Sequence, residues 1–69
     1  MKITYDKSAD AMYIYFKKGK VAKTHQINER VFIDLDKKGG VIGVEILGVS
    51  KQIPKKEIGK IYTEMPVYV

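Results

Sequence analysis

Three carboxylates are the residues whose types and spacing best suit chemistry. Asp34, Asp36 and Glu45 stand at alternate positions of two β-patterned runs joined by a short loop, so pairing those runs puts all three on one side. Clustered carboxylate oxygens suit a hard cation such as Mg²⁺ or Ca²⁺, and Asp6 and Asp10 add to the set if their turn folds onto that side. A metal-dependent enzyme would use this face. The simpler expectation is structural, because Asp36 stands at the loop mouth, where an Asp caps a turn, and Glu45 can pair with a lysine across the sheet. His25 is the single histidine, and no cysteine accompanies it to complete a transition-metal site. Ser8 and Ser50 lie in turn and connector contexts outside any nucleophile elbow, and the glycines form no phosphate-binding loop. No cofactor and no catalytic residue is therefore assigned.

The aromatic and basic residues suit binding better than catalysis. Tyr13 and Tyr15 share one side of a strand, and together with Phe32, Tyr62 and Tyr68 they are the candidates for contact with a partner. Such a face can be covered by the chain's own C-terminal segment, by a second copy, or by a stacked ligand. Lys17, Lys18, Lys20 and Lys23 concentrate charge near one turn, with Lys37 and Lys38 at another. If those turns meet at one end of a sheet they form a basic rim able to contact phosphates. Twelve lysines and one arginine make up the positive side of a net charge of +5. Lysine is a hydrated point charge without arginine's planar fork, so a solvated surface is favoured over nucleic-acid recognition.

These side chains need a frame, and the hydrophobic periodicity supplies one. Residues 31–36 and 41–47 alternate β-branched and polar positions around the loop Lys37 to Gly40, which reads as a long hairpin. The spacing predicts pairs Leu35 with Ile42, Ile33 with Val44 and Val31 with Ile46, an aliphatic face that would nucleate the core. The reverse face then holds Phe32, Asp34 and Glu45, with Gly43 marking a close backbone approach. Residues 2–5 and 11–16 read as two earlier strands, the second apolar on both sides, and residues 21–27 as a polar edge strand or connection. Residues 48–53 read as a connector. Pro54 then opens a helix over residues 55–62, with Ile58, Ile61 and Tyr62 on one stripe. The apolar tail, residues 63–69, is expected to dock on its own domain or on a second copy.

Sixty-nine residues make one small domain, residues 1–69, with a thin core. Without cysteine it has no disulfide or thiolate metal site to reinforce that core, so self-association is the expected aid. No run approaches the length of a membrane span and the N-terminus lacks the apolar stretch of a signal peptide, so no membrane partner and a cytoplasmic location are expected.

Tyr5-Asp6, Ala9-Asp10-Ala11-Met12-Tyr13-Ile14, Asp34-Leu35-Asp36-Lys37-Lys38-Gly39 and Val41-Ile42-Gly43-Val44-Glu45-Ile46-Leu47, in this order and spacing, resemble the small prokaryotic proteins grouped as domain of unknown function 2283. The resemblance runs from Met1 to about Ser50 and implies a compact, mostly antiparallel β protein without assigned biochemistry. It also implies, for some members, a gene beside a small toxin-like protein, and hence an antitoxin or partner-binding role. No catalytic residue is carried over with it. The expectation is an α+β domain: an antiparallel meander of four to five strands with a short C-terminal helix or segment packed on it, forming a homodimer. Its expected role is that of a non-catalytic protein-interaction module, for which the resemblance implies an antitoxin-like partnership with a neighbouring small protein, with nucleic-acid binding through the lysine rim as the alternative.

Overall fold

Alternating β-branched and aromatic positions produce five antiparallel strands, followed by two short helices. The computed structural model describes residues 1–64, and the side chains of residues 1–60. Strand β1 is Lys2–Asp6, β2 Ala11–Tyr15, β3 Lys23–Asn28, β4 Val31–Leu35 and β5 Val41–Leu47, with α1 at Val49–Gln52 and α2 at Lys55–Glu64. The α+β class and the antiparallel sheet are as expected. Of the expected tail, residues 63 and 64 extend α2, and residues 65–69, with Tyr68, lie outside the described residues, as does the Tyr62 side chain.

The strand order is β1-β2-β5-β4-β3, which departs from a simple meander at one step. After β2, residues 16–22 carry the chain past the ends of β5 and β4 to the far edge. The amides of Phe16 and Ala22 anchor this crossover by donating to the carbonyls of Ile42 and Leu35, each at 2.8 Å. The reason is apolar content. β2 and β5 carry side chains that need neighbours on both sides and sit inside the sheet, whereas β3, exposed at all six residues, takes an edge and presents Lys23 there.

The central hairpin pairs Val31 with Ile46 and Ile33 with Val44 as its pattern predicts, but Leu35 faces Val41 and not Ile42. Asp36 accounts for the slip. Its carboxylate accepts the amides of Lys38 at 2.9 Å and Gly40 at 2.8 Å, and its own amide donates to the Gly40 carbonyl at 2.9 Å. This tight turn draws Val41 into the ladder and leaves Ile42 as the extra residue of a β-bulge. The Ile42 carbonyl turns to the crossover, and its side chain is 3% exposed with Gly19 against it.

The core also lies elsewhere than on the centre of the hairpin. Ile3, Met12, Val49 and Ile58 form the buried cluster, with Tyr5, Ile14, Ile46 and Ile53 packed around it. Helix α1 forms where a connector was expected: Gly48 adopts a left-handed φ of 59°, and the turn it starts buries Val49 completely. Pro54 then accepts the amides of Glu57 and Ile58 at 2.9 and 3.1 Å, and Ile58 closes over the cluster. Because both helices follow β5 directly and are short, the cluster gathers on β1, β2 and the last residues of β5. Val31, Ile33, Leu35 and Val44 are left half-buried, outside it. Among the described residues, no helix is long and apolar enough to cross a membrane.

Candidate functional site

The turn between β1 and β2 fixes the helices. The Asp6 carboxylate accepts the amides of Ser8 at 2.9 Å and Ala9 at 3.2 Å, an Asx-type turn that delivers Asp10 into a left-handed φ of 51°. Asp10 accepts the Tyr5 hydroxyl at 2.7 Å, and the Ser50 hydroxyl at 2.8 Å and amide at 3.0 Å, while its carbonyl takes the Val49 amide at 3.0 Å. The Tyr5 hydrogen bond, followed by that from Ser50, holds the Asp10 carboxyl below the usual carboxylate value. Asp6, Asp10 and Ser50 are thereby committed to holding the fold, and neither Asp6 nor Asp10 joins the hairpin carboxylates.

On the reverse face of the hairpin, Tyr13 from β2 reaches across β5 at Gly43 and donates its hydroxyl to Asp34 on β4. Gly43 makes this possible: a Cβ there would meet Tyr13 Cε1 at 2.3 Å. The close approach expected at Gly43 is thus the Tyr13 ring. Asp34 also accepts the Thr24 hydroxyl from β3 at 2.6 Å, so one carboxylate ties β2, β4 and β3 together. Burial first, and then the hydrogen bond to Asp34, raise the Tyr13 pKa well above the ordinary phenol value, so the phenol stays protonated as a donor. The Tyr15 ring lies 4.3 Å from that of Tyr13, tilted by 47°, and the Lys2 ammonium sits 5.7 Å from the Tyr15 ring centre.

Asp36 belongs to its turn and to Lys17, 2.6 Å away, a contact that with the Gly40 amide lowers the carboxyl's pKa. Glu45 stands opposite Phe32 and Tyr13. Among the described residues, no three His, Cys, Asp or Glu side chains are grouped to hold a metal ion. His25 lies on the exposed edge strand, opposite Ile33. The arrangement offers fixed hydrogen bonds and surfaces.

The antiparallel alternation of the strands puts Lys17, Lys18, Lys20 and Lys23 at the end of the sheet that also holds the β4–β5 turn with Lys37 and Lys38, and Lys2 at the start of β1, and the crossover runs the first three past that turn. Seven of the twelve lysines meet there, and Asp36 is the one carboxylate of those segments. The remaining six basic and seven acidic side chains nearly balance. Two open clefts adjoin on this end and share Lys17 and Val21. One, of about 620 Å³, is lined by Tyr13, Tyr15, Phe16 and Lys18 among others; the second, of about 570 Å³, by Lys20, Asp36, Lys37 and Lys38. Phe32 stays within the hairpin, half-buried, apart from both clefts. The gathering of lysines was foreseeable only as a condition on where the turns fall. The roles of Asp10 and Thr24 were not, because each rests on partners distant in sequence that no local pattern marks.

Comparison with known proteins agrees with this architecture in its extent. The chain is 39% identical over 51 residues to an uncharacterized protein of Methanocaldococcus jannaschii, across 74% of this chain and 43% of that protein. It thus spans less than half the length of this curated relative. No solved structure matches it. The model of the family described as protein of unknown function (DUF2283) matches residues 2–50, from the first residue of β1 into α1, and the chain belongs to that family.

Proposed function

We propose that this protein is a non-catalytic protein-interaction module that acts as a homodimer, closing the bare half of its sheet on a second copy. The observation that carries this reading is the row Val31, Ile33, Leu35 and Val44: contiguous aliphatic side chains on one face, half-buried and outside the cluster under the helices. Only Ile3, Met12, Ile42, Val49 and Ile58 are buried hydrophobics among the described residues, a thin core for a domain without disulfides. An isologous contact lets the same patch serve both sides. With the strands of the two sheets antiparallel, it also sets the two basic ends at opposite poles, which suits a second copy of a chain with net charge +5.

Sedimentation equilibrium of the intact chain tests this, with about twice the 7.9 kDa chain mass expected. Ile33→Asp should return the mass to that of one chain while circular dichroism reports a folded sheet. Should Ile33→Asp not fold, the milder Leu35→Ser should raise the dimer dissociation constant. A monomeric intact chain overturns the homodimer. A monomer whose loss of residues 65–69 produces association would mean that the tail covers the face. Stoichiometric capture of the product of the neighbouring gene would assign the face to a small-protein partner, as an antitoxin would have.

A further inference from the structure

We infer that the basic end of the sheet binds single-stranded nucleic acid, with little sequence preference, in the two adjoining clefts beside the crossover. This rests on observations separate from the bare aliphatic face. The aromatic cleft exposes Tyr15 and Phe16 at 42% and 49%, and side chains of that kind lose little by covering a base. Tyr13 and Lys2 brace Tyr15 from its own sheet face. The neighbouring cleft is lined by lysines whose charge is mostly unmatched. Lys17 pairs with Asp36, whereas Lys18, Lys20, Lys23, Lys37 and Lys38 make no ion pair among the described residues. An aromatic platform next to a cationic track is the pairing that unstacked bases and their phosphates require.

The ligand class follows from what the end lacks as well as from what it carries. A duplex hides the faces of its bases and would leave Tyr15 and Phe16 unused. Base-edge reading favours arginine's bidentate fork, and Arg30, the only arginine, stands against Gly48 at the opposite end of the sheet. Lysines contact phosphates as point charges and aromatic rings stack on any base, which gives binding without a sequence code. The end is four strand spacings wide, about 19 Å, enough for a short run of nucleotides.

Fluorescence anisotropy of labelled oligothymidylate and oligouridylate with the intact chain tests the assignment, beside a blunt duplex and heparin. Four phosphate contacts at about 0.7 each give a log–log salt slope near minus 3, or roughly a fiftyfold loss of affinity between about 50 and 200 mM salt. Exchanging Lys20, Lys37 and Lys38 together for Gln, all exposed, should weaken binding and flatten the slope by about 2. Tyr15→Ser with Phe16→Ser should cost about tenfold or more and leave the slope unchanged, with melting curves verifying that each variant is folded. The lysine variant decides alone if the aromatic one unfolds. Absence of binding at low salt overturns the inference. So does equal affinity for duplex or heparin, which would mean undirected anion attraction, and so does a folded aromatic variant that binds as the parent does.

Discussion

Gly43→Ala tests the account of the reverse face most sharply. The φ of Gly43 is not in the left-handed region, so the backbone would accept alanine and space alone opposes it. The new Cβ would lie 2.3 Å from Tyr13 Cε1 and 2.6 Å from its Cζ and hydroxyl oxygen, against about 3.5–4.0 Å for relaxed carbon contacts. The ring must move by more than about 1 Å, and it cannot do so without losing Asp34. Overpacking of this kind costs about 1–3 kcal/mol. A lost hydrogen bond to a charged acceptor adds about 1 kcal/mol at this part-exposed site. A total of about 2–4 kcal/mol lowers the melting temperature of so small a domain by roughly 10–25 °C. In a Tyr13→Ala background the obstruction is gone, and Gly43→Ala should be neutral or slightly stabilising, since alanine restricts the unfolded chain. Thermal and urea unfolding of the four proteins in this cycle give a coupling of about 2–4 kcal/mol. Equal cost of Gly43→Ala in both backgrounds would refute the idea that Tyr13 is what Gly43 makes room for.

Asp10→Asn keeps a residue that tolerates the left-handed conformation but removes the charge; acid unfolding should then begin less steeply, because the native Asp10 carboxyl, held below 3.8 by Tyr5 and Ser50, stabilises the fold above that pH and loses this as pH falls through its lowered value. Asp36→Ala should lower the melting temperature by removing the acceptor for Lys38, Gly40 and Lys17, and the loss should shrink toward zero at acid pH, where the native carboxyl is itself protonated. Gly39→Ala, at a φ of 83° with open space around it, should cost about 1 kcal/mol through backbone strain alone, and Gly39→Asn less, as read from urea midpoints. Met12→Ala, at 2% exposure, should cost about 2–4 kcal/mol, and that cost should not vary with protein concentration beyond the parent's own dependence.

What the sequence made legible divides along a physical line. Residues 31–47 could be read to the pairing of Ile33 with Val44, since a one-residue slip would expose every aliphatic side chain of that face. The read failed at Leu35, where the Asp36 carboxylate tightens the turn, a choice that alternation cannot show. The neighbours of β2 were not legible either. Its partner across from Tyr13 is Glu45, in a strand 32 positions later, and the polar β3 carries no pattern that fixes its place. Helix α1 is four residues long, too short for a period, so Val49 gave no sign that it would be the most buried side chain of the described chain. Of the candidate site, the glycine in a strand interior marked the place of close approach but could not name Tyr13 as the occupant.

The crossover joins these findings. A strict meander would also have put the β2–β3 connection at the end that holds the β4–β5 turn, but beside β2 and β3 only, about two strand spacings from Lys37 and Lys38. Because β5 and β4 take the inner places, the chain must travel along one end of the sheet to reach its edge, and it does so through Lys17, Lys18 and Lys20. Antiparallel alternation sets the end at which these lysines lie, and burial of β2 and β5 inside the sheet makes residues 16–22 run alongside the β4–β5 turn. Exposed like charges within about a Debye length of one another repel, and Asp36 matches only Lys17 among them. The fold tolerates that repulsion at the end where Tyr15 and Phe16 are also exposed, while the opposite end is nearly balanced in charge and closed by Asp10, Ser50 and the helices. Burial accounts for the strand order, and the single-stranded ligand proposed above would use both of the features that burial leaves at this end, the five lysines without an ion pair among the described residues and the two exposed aromatic rings.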